Sequence, residues 1–286
     1  MIRSKDAGVV LVTILVVMAL CVTVIVAMTL RSEQAIRVTG RDRDATQARA
    51  LLSAGEASAV SALILDLQTA PEADGPGEAW ATIGQTDLTL RNGTFHLSIR
   101  DEAAWFNLNT LIEGSPTSRQ ALVLIVAAAG LPPEVAVRIA AAMKGGKPLL
   151  QNQDLAPRAV LTPAEIAALS AFVTCTSETT GSININSAPD SLLTALLRNS
   201  DTTSKIIAER KLGLITPDVL RQMGVILPAG LALTSDIFGL TIVTSSGDAT
   251  VRAGLLIHRW RSKDGMAHAV VTARKLETVS QDGLAG

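Results

Sequence analysis

Three histidines, two cysteines and one Lys-Gly-Gly-Lys stretch are where chemistry could be sought in this sequence. His96 occupies a polar position of an alternating run, and His258 and His268 fall in or beside later runs of the same kind. None has a cysteine or carboxylate at metal-ligand spacing, and neither H-E-x-x-H nor G-x-S-x-G occurs. Lys144-Gly145-Gly146-Lys147 lacks the first glycine of a phosphate loop, and Pro148 stands where its Ser or Thr would be. Cys21 lies in an apolar run and Cys175 far outside it, so the two cannot pair, and both read as packing. No catalytic residues and no metal ligands are expected, and the chain is not read as an enzyme. One junction does invite chemistry from outside: Gly8-Val9, at the mouth of the apolar run.

That run, Val9 to Leu30, is 22 residues without charge, Gly or Pro. As a helix it is about 33 Å long at ~1.5 Å per residue, enough for a hydrocarbon core of roughly 30 Å. Its polar atoms are the hydroxyls of Thr13, Thr23 and Thr29 and the Cys21 thiol. A threonine hydroxyl can bond back to a carbonyl one turn earlier, so none of these bars the segment from lipid. The leader at 1–8, MIRSKDAG, is basic through Arg3 and Lys5 and ends in Gly8. A secretory signal has a shorter apolar core followed by a small-x-small site, and Ala27-Met28-Thr29 is the nearest approach to one. The small residue placed for processing therefore precedes the helix, where a cut would remove the leader and keep the anchor. An uncleaved anchor with a chance glycine is the alternative. Arg31, Arg37, Arg41 and Arg43 follow the helix, so the positive-inside count mildly favours the opposite orientation to an N-terminus in the cytoplasm.

The residues beyond Leu30 suffice for one large domain or two small ones. Net charge is −1, which gives no footprint for nucleic acid or anionic lipid. Hydrophobic residues make up 48% but aromatics only 2%, with no Tyr, so the core must be built from Ala, Leu, Val and Ile.

From 31 to 69 the chain reads as a soluble continuation of the membrane helix. Ala48, Leu52, Gly55, Ala59, Leu63 and Leu67 step by three or four along one face, and Gly40 weakens the rod by ~1 kcal/mol relative to Ala. Pro71 to Glu78 is a Pro/Gly break. A first part of a sheet domain follows at 84–112: Leu88, Leu90, Phe95, Leu97 and Ile99 alternate around Asn92-Gly93, which reads as a type I′ hairpin turn. A helical stretch occupies 113–235, with helices expected over Arg119–Ala129, Glu134–Met143, a capping box at Thr162–Glu165 leading to about Val173, Leu192–Leu197, Thr203–Lys211 and Thr216–Met223, with Pro217 next to its start. Alternation returns at 236–276, around a turn at Ser245–Asp248, as the final strands of the sheet. Residues 277–286 read as a loose tail. The fold class is α+β: a long N-terminal helix packed on an antiparallel sheet, with a large all-helical insertion in the sheet domain.

Two short elements share a pattern. Phe106-Asn107-Leu108-Asn109 and Ile183-Asn184-Ile185-Asn186-Ser187-Ala188-Pro189 each alternate apolar residues with asparagine before a helix. Asparagine side chains bond nearby main-chain amides and tie an extended segment to the next turn. Ser187 and Asp190 have capping-box spacing, with Pro189 placed in the first helical turn.

With the leader, these elements resemble the K-type minor pseudopilins of bacterial type II secretion systems, the general secretion pathway protein K family. The resemblance implies cleavage between Gly8 and Val9 by a prepilin peptidase and N-methylation of Val9. Thr13 is then the fifth mature residue, where pilins and most pseudopilins carry a glutamate thought to neutralise a neighbour's amine. Its loss is typical of the K type and suits a subunit with no neighbour above it. The resemblance further implies a single-pass inner-membrane protein, N-terminus cytoplasmic and C-terminal domain periplasmic, that caps or initiates the pseudopilus. Its partners would be the I- and J-type minor pseudopilins, the peptidase and secreted substrates, with no nucleic acid. Calcium is known in this family, in acidic loops of the helical insertion, but here that stretch offers only Asn152, Gln153 and Asp154 as oxygen ligands, so no cofactor is expected. Two alternatives stand beside it. One is a membrane-tethered helix-hairpin-helix DNA-binding protein of competence type, whose Gly-x-Gly hairpin is here Arg198–Thr202 without glycine. The other is a minor type IV pilin.

Overall fold

The structure is a computed structural model that describes residues 4–83, 85–176, 178–179 and 181–279. Residues 1–3 of the expected leader and 280–286 of the expected tail lie outside the described residues. Helix α1 (Ser4–Thr69) runs unbroken through Gly40. Its apolar part is long enough to cross a membrane and is not buried within the protein. Thr23 and Thr29 donate to the carbonyls of Ala19 (2.8 Å) and Ile25 (3.0 Å), so their hydroxyls need no other partner in lipid.

After a short α2 (Ala79–Ile83), β1 (Gln85–Leu90) and β2 (Gly93–Asp101) form a hairpin, and the two-residue β3 (Phe106–Asn107) follows. The chain then enters α3 (Pro116–Ala128), α4 (Pro133–Met143), α5 (Leu155–Ala159) and α6 (Pro163–Leu169). Short strands β4 (Val173–Thr174) and β5 (Ile183–Asn184) precede α7 (Asp190–Leu197), α8 (Ser200–Arg210) and α9 (Pro217–Met223). It ends with β6 (Leu231–Ala232), β7 (Ile237–Ser246), β8 (Ala249–Arg261) and β9 (Ala267–Val279). The five-stranded antiparallel sheet has the order β1-β2-β7-β8-β9. β2 and β7 are therefore neighbours although all the helices after α2 lie between them in the chain. β9 runs past the expected end at Leu276.

The expected stripe of α1 lies on this sheet. Ala48, Leu52, Ala59 and Leu63 are buried against Leu97, Phe238, Leu240, Ile242 and Leu255. Gly55 lies tight against the sheet: a Cβ there would lie 2.9 Å from the Phe95 ring and 3.2 Å from Ile242. A second cluster unites the helices, with Leu122, Ile125, Ile139, Leu155, Leu192, Leu193 and Ile206 at its centre.

Three local expectations need correction. The hairpin turn is Arg91-Asn92, with Leu90 paired to Gly93, and neither Asn92 nor Gly93 has a positive φ, so it is not type I′. The reason is tertiary. The β7–β8 turn crosses here, the Asn92 carbonyl accepts from Gly247 N at 2.8 Å, and a Cβ on Gly93 would lie 1.9 Å from the Ser245 carbonyl oxygen. Helix α6 does start with the Thr162–Glu165 capping box but ends at Leu169, because Val173-Thr174 pairs in parallel with Phe106-Asn107. Pro189 is the residue before α7, not within its first turn, and no side chain caps that helix. The Ser187 and Ala188 amides instead turn back onto the Asn184 carbonyl.

Gly93→Ala puts a methyl into fixed main chain, so a loss of about 1–3 kcal/mol is expected. Urea denaturation of the full chain in detergent, set against Gly40→Ala, which meets nothing within 4 Å, checks this. An unchanged midpoint for Gly93→Ala would refute the crossing.

Candidate functional site

Inward positions of β8 alternate through Val251, Ala253, Leu255 and Ile257, and the next one is Arg259, only 2% exposed. A charge in that place must be neutralised where it lies. Nη1 donates to Asp66 Oδ2 at 2.7 Å, and Nη2 donates to Asp74 Oδ1 at 2.5 Å and to the Ser235 carbonyl at 3.0 Å. The guanidinium also lies 4.7 Å from the Phe238 ring centre, which Trp80 meets edge-on at 5.0 Å. Asp66 sits near the end of α1 and Asp74 in the Pro/Gly break, so one side chain of the sheet fixes where the long helix stops. Burial works against the Arg259 charge, but Asp74 and Asp66 offset it and leave its pKa raised. Burial pushes the Asp66 carboxyl up, with Arg259 opposing.

The polar chain continues into the helices. Asp74 Oδ2 accepts from Ser235 N (2.7 Å), and Ser235 Oγ donates to Asp101 Oδ2 (2.7 Å) at the end of β2. Asn184 Nδ2 contacts the Asp74 carbonyl (3.0 Å), Asp101 Oδ2 (3.1 Å) and Ser235 Oγ (2.8 Å), while its Oδ1 accepts from Asn186 N (2.9 Å). Asn186 in turn holds both main-chain groups of Ile215 at 3.0 Å. Burial raises the Asp101 carboxyl above its usual range, with its hydrogen bonds opposing.

The Asn107 element works in the same way. Asn107 Oδ1 accepts from Asn109 N (3.1 Å) and Thr176 N (3.2 Å), and its Nδ2 donates to Thr176 Oγ1 (2.7 Å). Asn109, fully buried, clasps Leu149 through both main-chain groups and donates to the Thr176 carbonyl. Phe106 is buried beside these bonds, with its N–H on the Phe172 carbonyl. Phe106, Leu108, Ile183 and Ile185 enter the helical core while the asparagines between them hold main chain far along the sequence.

Gly8 and Val9 fall in the opening turns of α1, and their side-chain surroundings lie outside the described residues. Thr13 is exposed on the apolar stretch of that helix. The structure does not bring these residues near the asparagines. His96 pairs with Asp87 at 2.6 Å on the surface, and His258 and His268 flank Trp260 with ring centres 5.3 Å apart, so the three histidines form no common site. Burial pushes the Cys175 thiol up to about 12, which leaves it a poor nucleophile. The Lys144–Lys147 stretch ends α4, the wrong pole of a helix for phosphate.

Both acidic groupings are largely engaged by protein donors, although Asn152 Oδ1 is buried without a hydrogen-bond partner among the described residues. Asp154 already accepts Leu150 N, Gln151 N and Gln151 Nε2, and Asn152 Nδ2 donates to the Val173 carbonyl. Asp66, Asp74 and Glu78 offer ligand atoms within 4.8 Å of one another, but Arg259 holds the first two. Glu78 Oε2 accepts from Gly75 N (2.7 Å) and Trp80 Nε1 (3.1 Å), and burial pushes its carboxyl up to about 7.

Asp66, Asp74, Asp101, Ser235 and Arg259 were not singled out from the sequence. Two signals were present: Arg259 at an inward strand position and Asp66 between the stripe residues Leu63 and Leu67.

No family model matches the chain, and no curated protein matches it. Among solved structures, it is similar to a chain in the crystal structure of the GspK–GspI–GspJ complex from the type 2 secretion system of enterotoxigenic Escherichia coli. The TM-score is 0.62 at 19% identity, over 84% of this chain and 99% of that one. At that identity the likeness is one of fold.

Arg259→Met strands two buried carboxylates, and a loss of about 3–5 kcal/mol is expected from denaturant titration. Adding Asp66→Asn and Asp74→Asn should recover part of it, since coupled sites are not additive; a triple variant worse than the single would argue against the pairing. For Glu78, the folded carboxyl holds its proton up to about 7 while the unfolded one releases it near 4.5. The folded state thus binds more protons in that window, and stability falls as pH rises through it. Glu78→Gln should make the decline of Tm between those values shallower, and an unaltered slope would count against the shift.

Proposed function

We propose that this chain is the K-type minor pseudopilin of a type II secretion system: a non-catalytic subunit that caps or initiates the pseudopilus and supports export of folded periplasmic proteins. The observation that carries it is the division of α1. Its N-terminal part exposes apolar side chains over its whole circumference, while Ala48, Leu52, Ala59 and Leu63 of its C-terminal part are buried on the sheet. A helix built this way anchors a folded domain to a membrane and hands its apolar half to neighbours. The likeness of fold to a chain of the GspK–GspI–GspJ complex supports the reading over 84% of the sequence. In that role a prepilin peptidase cuts between Gly8 and Val9 and methylates Val9, and the chain stays in the inner membrane with residues beyond 30 in the periplasm. The I- and J-type minor pseudopilins are its partners, and Thr13 suits the tip because no subunit above needs a carboxylate. Residues 113–235 act as a bulky insertion that blocks further addition above.

The DNA-binding reading is weaker on the geometry of the α7–α8 turn. There the Asn199 side chain already accepts the Thr202 amide at 2.9 Å, where a phosphate-binding hairpin would leave amides open. N-terminal sequencing of the protein from hosts with and without prepilin peptidase tests the proposal. The mature protein should begin at methylated Val9 only when the peptidase is present, and Gly8→Leu should keep the leader in both. A chain that still begins at Met1 where the peptidase is present, or one that begins at Val9 where it is absent, would overturn it.

A further inference from the structure

The segment that joins α1 to the sheet domain holds more acid than its one buried cation can match. Asp66, Asp74 and Glu78 have carboxylate oxygens within 4.8 Å of one another. Arg259 donates to the first two and to the Ser235 carbonyl. Among the described residues Glu78 receives neutral donors alone, the Gly75 amide at 2.7 Å and the Trp80 indole N–H at 3.1 Å. With all three acids ionised, three carboxylates against one guanidinium leave a net charge of −2, where Asp66, Asp74 and Arg259 are buried. Such a surplus is relieved by taking up a proton. The surrounding charges do not restore the balance. Asp101, joined to Asp74 through Ser235, and the exposed Asp236 add acid. Arg261, at the end of β8, donates to the carbonyls of Leu67 and Gly265, and Glu72 is exposed.

The surplus falls on Glu78, the half-buried acid that the guanidinium does not reach. Burial pushes its carboxyl up to about 7, with Asp66 and Asp74 adding to the rise and Gly75 and Trp80 opposing it. Glu78 also holds a wedge in place. Its carbonyl accepts the Ala81 and Thr82 amides that open α2, and its side chain closes the turn at Gly75. Trp80 is buried edge-on against Phe238, the ring that faces Arg259, and α2 packs between α1 and the β1–β2 hairpin. Loss of the Glu78 proton therefore sets a third carboxylate against Asp66 and Asp74 in the element that fixes where α1 leaves the sheet.

We propose that residues 70–83 form a proton-operated latch, closed on α1 while Glu78 is neutral and opening locally, with the sheet still folded, once Glu78 ionises. The closed segment keeps a proton that the open one, with Glu78 in water, releases near 4.5. Closure is strongest below that value, weakens by up to about tenfold per pH unit as pH rises, and levels off above about 7. The latch sets how firmly the end of the long helix is held to the sheet. It depends on the side chains of this junction and not on the pseudopilin reading, so the two can fail separately.

Hydrogen exchange of the full chain in detergent, read by mass spectrometry and corrected for the pH dependence of free amides, tests this. Protection of amides 75–82 should fall about tenfold or more from pH 5 to pH 7.5. The fall should be the same in 1 M urea, because local opening exposes little surface, whereas amides of β7 and β8 report global unfolding and should lose protection steeply with urea. Glu78→Gln keeps an acceptor for Gly75 and Trp80 and should reduce the fall to below about threefold. Asp66→Asn leaves Glu78 in place but removes a charge that faces it, and should move the levelling-off to lower pH. An equal fall in Glu78→Gln, no fall in the parent chain, a levelling-off that Asp66→Asn does not move, or a loss at 75–82 that tracks β7 and β8 in urea would overturn the proposal.

Discussion

A guanidinium removed from water must be met by opposite charge and by acceptors for its hydrogens, or the fold that buries it does not form. Arg259 is met by Asp66, Asp74 and the Ser235 carbonyl, which come from the end of the long helix, the break after it and the segment that leads into β7. These groups are held in one place only if helix, break and sheet are all in position. Apolar burial of the α1 stripe supplies attraction but little direction, since Ala48, Ala59 and Leu63 could slide along a smooth sheet. The ion pairs supply the register.

The same network joins the two hydrophobic clusters. Asp74 and Asp101 belong to the sheet side, Asn184 and Asn186 to the helical side, and Ser235 lies where the chain returns. A purely apolar seam between them would tolerate rotation. A seam in which each polar atom has a fixed partner does not, because any displaced group would be buried and unsatisfied. The two asparagine elements are therefore hinges made rigid. Their apolar residues fill the helical core while Asn109 and Asn186 each clasp main chain from a distant turn.

This rigidity bears on the proposed role. Arg259 links the end of the long helix directly to the sheet on which that helix packs. Close approach serves the same end at Gly55 and Gly93, where helix meets sheet and hairpin meets hairpin with no room for a side chain.

What the sequence determined by itself was local and periodic. The uncharged run from Val9 to Leu30, the stripe from Ala48 to Leu67, the break at Pro71 and the alternation of Val251 to Ile257 each follow from spacing within one segment, and each element stands where its period places it. Tertiary structure decided what no single segment could contain. Arg259 and Asp74 are 185 positions apart, and nothing in either neighbourhood names the other. Asn92-Gly93 carries the strongest local turn signal, yet a crossing hairpin gave it another geometry. Val173-Thr174 was drawn out of a helix by a partner strand at Phe106-Asn107. Periodicity reports which face of an element is apolar. Partner choice depends on which main chains converge once those faces are buried, and that exists only in the folded chain.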